Sequence, residues 1–302
     1  MSHIPVMLGE VLDVMSPRDG AHYIDGTFGG GGYSRALLDA AECSVLGIDR
    51  DPDAIARGQN LVAQYAGRLT LVQGEFSQMD RLFSGQSDGV VLDLGVSSFQ
   101  LDEAARGFSF REDAPLDMRM SKRGRSAADV VNESDEKTLI EIVGTLGEER
   151  HAGRVARAII AARPVTRTVQ LAEVVSKALG PAAARQPIHP ATRTFQGLRI
   201  YVNDELGELE RGLEAAERVL KAGGRLAVVA FHSLEDRIVK QFLQARSKPA
   251  PASSRHLPQT TQTNRQTFRM LGAQPRTPNP AEIASNPRAR SAKLRAAEKL
   301  AA

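Results

Sequence analysis

Cysteine is almost missing from this chain of 302 residues. Cys43 stands alone, which excludes an intramolecular disulfide and a cysteine zinc cluster, and no metal site is predicted. Long apolar runs are missing too: nothing approaches the run of about eighteen residues that marks a membrane-crossing helix. The start, Met1-Ser2-His3-Ile4-Pro5-Val6, lacks the basic stretch and apolar run of a secretory signal. The expectation is a cytoplasmic protein with no membrane partner. What is present is ordinary for a folded chain. Hydrophobic residues make up 42% and charged residues 25%, enough for one large α/β domain or a medium domain carrying a second.

Charge is unevenly spread. Residues 1–100 hold 6 Lys and Arg against 13 Asp and Glu, whereas residues 101–302 hold 33 against 23. Beyond Ala245, 11 basic residues meet only 2 acidic ones. Phosphate contacts scale with available Lys and Arg, so this polarity points to a polyanionic partner.

The first hundred residues alternate β-rich runs with helical patterns, the signature of a parallel sheet wound by helices. Strands are predicted at Ala21–Asp25, Val45–Asp49, Leu69–Gln73 and Gly89–Leu94, with helices at Tyr33–Ala41, Asp51–Tyr65 and Ser77–Phe83 between them. The alternation stops near Asp102. From there to Gln186 only helical patterns are found: Ala127–Asn132, Glu136–Leu146, Glu148–Ala162 and Thr168–Leu179. Helices that interrupt a βα series suggest an inserted domain, so residues 102–186 are read as a helical insert within a discontinuous domain of 1–101 and 187–302. A long helical pattern covers Pro190–Leu220, a strand Arg225–Phe231 and a helix Leu234–Ala245. Residues 247–265 read as a polar loop, and Ala289–Lys299 as a last strand or a helix.

The most informative segment is Tyr23-Ile24-Asp25-Gly26-Thr27-Phe28-Gly29-Gly30-Gly31-Gly32-Tyr33, which follows a strand and opens a helix. Glycines there let the chain turn tightly and let a ligand approach the backbone. Asp49 closes the second strand about twenty residues later, where a carboxylate accepts ribose hydroxyls. Two ligands suit this geometry, a dinucleotide or the adenosyl group of S-adenosylmethionine. The dinucleotide spacing fails because Ser34 stands where the third glycine belongs. Asp25, directly before the loop, would repel a pyrophosphate and suits an amino group instead. The methyl donor is favoured, with an NAD-linked oxidoreductase as the alternative. A third reading is a non-catalytic RNA-binding assembly factor with a vestigial pocket.

Strand four ends at Asp93, and the carboxyl ends of strands in such sheets face the ligand crevice. Asp93 is therefore a candidate to accept a proton from an amino group under methylation.

The motifs YIDGTFGGGG, GIDRDP, VLDLGVSS running on to RGFSF, PLDMRM, GEER, HPATRTFQ, FHSLEDRIVK and NPRARS resemble the bacterial 16S rRNA cytosine-N4 methyltransferase family across nearly the whole chain. The resemblance implies a class I, Rossmann-like α/β methyltransferase sheet with an inserted all-helical domain, using S-adenosylmethionine. It implies methylation of N4 of cytidine 1402, in the decoding region of the small ribosomal subunit's 16S rRNA, by a monomer or homodimer. Carried over by motif, cofactor contacts fall on Gly31, Gly32, Tyr33, Asp49, Phe76, Asp93 and Gln100. The loop position commonly occupied by histidine in this family is Tyr33 here. With Asp93 on the cofactor side, Asp117 in PLDMRM becomes a second candidate proton acceptor.

For the RNA, Arg150, Arg154 and Arg157 recur on one helix face, and Arg193 and Arg199 offer a second basic surface. Phe108 and Phe110 could stack a base or anchor the insert. His232, after the fifth strand, is read as a structural hydrogen-bonding residue.

Overall fold

The computed structural model describes residues 5–185, 187–248 and 266–301. Among these the elements run α1 (Leu8–Met15), β1 (His22–Asp25), α2 (Gly32–Ala40), β2 (Ser44–Asp49), α3 (Pro52–Gln64), β3 (Leu69–Gln73), α4 (Met79–Leu82), β4 (Ser87–Asp93) and α5 (Ser98–Asp102). The helical series is α6 (Ala127–Glu133), α7 (Glu136–Glu141), a π-turn at Ile142–Leu146, α8 (Ala152–Ala161), α9 (Thr168–Leu179), α10 (Pro181–Ala184) and α11 (Thr192–Asn203). The chain closes with α12 (Glu205–Val219), β5 (Leu220–Ala230), α13 (Ser233–Ser247), β6 (Phe268–Met270), α14 (Pro280–Ser285) and β7 (Lys293–Lys299).

The strands form one sheet in the order β3-β2-β1-β4-β5-β7-β6. β1 to β5 pair in parallel, and β7 runs antiparallel to both β5 and β6. This is the class I methyltransferase sheet that the sequence led us to expect. The order reverses between β1 and β4, which is where an open α/β sheet opens its ligand crevice. The central strands are buried on both faces and read as near-continuous apolar runs, as in Val90-Val91-Leu92. Ala289–Lys299, left open between strand and helix, divides into a short 3-10 turn at Pro287–Ser291 and strand β7. Of the polar stretch 247–265, the part from residue 249 on lies outside the described residues.

The chain divides into two compact units, Met1–Gly95 with Gly207–Ala302, and Val96–Leu206. The first holds the sheet. The second holds α5 to α11 around its own apolar core, which includes Val130, Ile142, Val155, Ile159, Leu171 and Leu198. Its limits differ from 102–186. α11 belongs with the helices because it places Phe195 and Leu198 in their core. The single helix predicted over Pro190–Leu220 is broken at Asp204, which takes the left-handed conformation (φ 48°). Aspartate tolerates that region better than most side chains, so α11 ends there and α12 starts afresh.

Candidate active site

The glycine loop lies across the carboxyl ends of β1, β2 and β4, stitched there by backbone bonds. Gly26 N–H donates to Val91 O at 3.0 Å and Phe28 N–H to Ile48 O at 3.0 Å. The acidic residues then fix its shape. Asp25, 1% exposed, accepts from the Ser34 hydroxyl at 2.7 Å and from Thr27 N–H at 3.2 Å. Asp49 accepts from Gly29 N–H at 2.7 Å and from Asp51 N–H at 2.8 Å. The Thr27 hydroxyl accepts from Asp93 N–H at 2.6 Å, tying the loop to the end of β4. Thr27 and Ser34 are site residues that sequence reasoning missed. The signal was present, since Ser34 stands where a dinucleotide loop carries glycine, and its hydroxyl is what holds Asp25.

Gly31 takes a left-handed φ of 73° just before α2, and a Cβ there would come within 2.7 Å of the Phe28 ring. A Cβ on Gly32 would meet Pro5 Cγ at 2.2 Å. Both glycines are thus required by local packing, whatever they also offer a ligand. Tyr33 departs from the expected ligand contact. It is 3% exposed, and its hydroxyl donates to the Val6 carbonyl, so the phenol reaches into the N-terminal segment and its donor is spent there. Phe76 follows β3, half-buried against Gly26 and Gly212. Ser77 N–H donates at 2.9 Å to the buried Glu208 of α12, which holds the turn carrying Phe76 in place.

Three carboxylates converge electrostatically in this unit. Burial pushes Asp25 up to about 6, against the relief of its Ser34 and Thr27 hydrogen bonds. Burial, then the charges of Asp25 and Glu235, lifts Asp93 well above the usual carboxylate range. Asp49 is raised by burial as well. Asp93 Oδ1 is shut away from solvent with no hydrogen-bond partner. A buried acceptor left unpaired costs about 1–3 kcal/mol, so this atom calls for a donor or a cation. Such a negative cluster fits the ammonium and sulfonium of S-adenosylmethionine and repels a pyrophosphate, which disfavours a dinucleotide. Glu235 was not foreseen. It closes a capping box on α13, accepting from His232 N–H at 3.2 Å and also from Phe231 N–H at 2.8 Å, while His232 Nδ1 accepts from Glu235 N–H at 3.4 Å. His232 thus has the structural role read from the sequence.

The remaining candidates lie in the helical unit. Gln100, 5% exposed, caps α5: its Oε1 accepts from Ser97 N–H at 3.0 Å. Asp117 is gripped by Arg119, taking bonds from Nε at 2.9 Å, Nη2 at 2.8 Å and the backbone N–H at 2.9 Å. Burial raises this carboxyl, but the guanidinium outweighs it and holds Asp117 below its usual range. A carboxylate so stabilised is a poor proton acceptor, which weighs against the catalytic role considered for Asp117. Arg154 and Arg157 are exposed on α8, with Arg157 3.2 Å from Glu136. Arg150 precedes that helix and is exposed. Arg199 is not a free cation. It forks onto Glu205 with two bonds of 2.8 Å, so it leaves the set of RNA contacts. Phe110 packs on His189 and Phe195, each at 4.7 Å between ring centres, and is therefore spent on internal packing.

The profile of the MraW methylase family matches residues 1–300. The chain is similar to the ribosomal RNA small subunit methyltransferase H of Parvibaculum lavamentivorans, at 57% identity over 99% of this chain and 90% of that one. It is similar to the protein of the same name from Rhodospirillum centenum, at 58% identity over 99% and 93% of the two chains. A third, from Xanthobacter autotrophicus, is 58% identical over 98% and 87%.

Proposed function

The chain belongs to the MraW methylase family, and from that premise we propose that it is an S-adenosylmethionine-dependent methyltransferase of small-subunit ribosomal RNA, acting on N4 of a cytidine. The relatives' shared name supports the RNA class, and the sequence resemblance carries the choice of N4 and of cytidine 1402. The observation that carries the chemistry is the unpaired, buried Asp93 Oδ1 among acidic neighbours.

Bound S-adenosylmethionine supplies an electrophilic methyl group on a cationic sulfur. The residues present suit it. Asp25 and Asp93 provide the negative end for its ammonium, Asp49 keeps acceptor capacity for ribose hydroxyls, and Phe76 offers an apolar edge to the adenine. Burial and the charges of Asp25 and Glu235 disfavour the ionised form of Asp93. A cation arriving beside it favours the ionised form, and only that form can accept a proton. An exocyclic amine that gains a methyl group must lose a proton, and Asp93 is the acceptor we assign to it.

Incubating the protein with S-adenosylmethionine labelled on the methyl group and unmethylated small subunits, then digesting the RNA, tests this reading. Label should appear in N4-methylated cytidine. Asp93→Asn should lower transfer by about 100-fold or more, the range for loss of a positioned proton acceptor. Label in another nucleoside would sink the N4 assignment, and no label in any RNA would sink the reading itself.

A further inference from the structure

Three residues just before α1 bear on the glycine loop, and the last of them is strained. Met7 takes a left-handed conformation (φ 52°, ψ 35°) while it is fully buried. That region is costly for a long side chain and persists only where the surroundings impose it. Those surroundings can be named. Met7 N–H donates to Glu282 Oε1 at 2.6 Å, and Met7 O accepts from Val11 N–H at 2.9 Å as α1 begins. The carbonyl of the buried Val6 accepts from the Tyr33 hydroxyl. Pro5 packs where a side chain on Gly32 would stand, its Cγ 2.2 Å from the place of a Cβ. Glu282 is held from the C-terminal side: it lies in α14, where its N–H donates to the capping Asn279 Oδ1 at 2.9 Å. Arg276, bridged to Leu294 of β7, adds an ion pair of 2.6 Å to Asp13 of α1. Burial, then the charges of Asp93, Asp25, Glu282 and Glu10, holds the Tyr33 phenol well above its ordinary value, so it remains a donor.

These contacts form one line from the C-terminal segment to the acidic cluster. Tyr33 stands in the first turn of α2 beside Ser34, whose hydroxyl holds Asp25 at 2.7 Å. A rotation of that turn would move both. Packing of the N-terminal segment alone would need neither a strained Met7 nor a buried phenol spent on one carbonyl. We propose that Tyr33 and Glu282 are positioning residues for S-adenosylmethionine, acting through residues 5–7 as a strap that fixes the turn at residues 31–34 in its ligand-binding shape. The proposal rests on the reading of the glycine loop as the S-adenosylmethionine site and gives both residues an indirect part in it. Fastening and binding are then linked: a strap that favours the ligand-binding loop is itself tightened by the ligand.

Calorimetric binding of S-adenosylmethionine to the full chain, with no RNA present, tests it apart from turnover. Tyr33→Phe keeps the ring and removes the donor. Glu282→Ala removes the acceptor, whereas Glu282→Gln keeps an oxygen that accepts. Tyr33→Phe and Glu282→Ala should each weaken binding about fivefold, the range for one lost hydrogen bond, and Glu282→Gln should restore it. Their double variant should be little worse than either alone, because both break a single line of contacts. In methyl transfer to small subunits, the KM for S-adenosylmethionine should rise while kcat and the KM for the subunits hold, the pattern of lost uniform binding. Hydrogen exchange over residues 5–12, followed by mass spectrometry, should slow when S-adenosylmethionine binds the original chain and change little in Tyr33→Phe. Lowered melting temperatures with full S-adenosylmethionine affinity would reduce the strap to a structural contact and overturn the proposal. Exchange over residues 5–12 that ignores the ligand overturns it equally. If the original chain binds no S-adenosylmethionine, the reading of the loop falls and the strap with it. If it binds and both variants bind as well, only the strap falls.

Discussion

Ser34 contributes one hydroxyl, and that hydroxyl sets the charge state of the residue that opens the glycine loop. Its 2.7 Å bond to Asp25 favours the ionised carboxylate against burial. Hydrogen bonds to charged acceptors are worth about 1.5–3 kcal/mol, so Ser34→Ala should weaken S-adenosylmethionine binding by at least about tenfold at neutral pH. It should also move the pH at which binding is half-lost upward, because Asp25 then ionises later. Calorimetric titrations across several pH values would read both effects, and an unchanged affinity with an unchanged pH profile would remove Ser34 from the site. At this scale the sequence was legible for Asp25, Asp49 and Asp93, whose spacing after strands announces them. It was not legible for Tyr33 and Arg199. Nothing local says that the Tyr33 hydroxyl will find Val6 or that the Arg199 fork will close on Glu205.

Two glycines in helices show how an element's neighbours decide a substitution. On α12, a Cβ at Gly212 would fall 2.1 Å from the Phe76 ring. On α8, a Cβ at Gly153 would find its nearest neighbours at 3.5 Å, the flexible end of Arg157, and 3.9 Å. Alanine favours a helix interior over glycine by about 0.5–1 kcal/mol, so Gly153→Ala should stabilise by roughly that amount. Gly212→Ala should destabilise by about 1–3 kcal/mol because the overlap outweighs the propensity gain. Urea denaturation midpoints of the two variants should therefore move in opposite directions. A shift of the same sign in both would mean that propensity, not packing, governs α12. The breaks within predicted helices have the same origin. Glu136–Leu146 reads as one helix but turns into a π-turn from Ile142, and Gly147 there admits no side chain because Arg193 O stands 2.4 Å from where its Cβ would lie.

Across the whole molecule, the buried acidic cluster couples folding, ligand and pH. Asp25 has an ordinary value of 3.8 and a folded value of about 6, so the folded state holds its proton more tightly than the unfolded one. Stability from this group is therefore full below about pH 4 and declines as pH rises toward 6. Above that the cost stays near 3 kcal/mol. Asp93 shifts in the same direction. A cationic ligand recovers this loss only where the carboxylates ionise. The rise in melting temperature given by S-adenosylmethionine should accordingly be larger at about pH 7.5 than at pH 5.5. Binding near pH 6 should release protons, seen as an enthalpy that varies with buffer. A stabilisation equal at both pH values, with a buffer-independent enthalpy, would show the cluster plays no part in binding.

Much of this protein was determined by local sequence alone. Apolar runs of strand length ending in Asp25, Asp49 and Asp93, with helices between them, dictate the parallel half of the sheet, because burial on both faces and short βα connections leave few other arrangements. The glycine loop and its acidic partner dictate the class of ligand, because both act within one βαβ unit. Tertiary structure alone decided the rest. It joined α11 to the helical core, inserted β7 antiparallel between β5 and β6, left Asp93 Oδ1 unpaired and brought Val6 to Tyr33 and Met7 to Glu282. Each of these depends on residues far apart in the chain whose approach is set by packing, and no local pattern encodes such an approach.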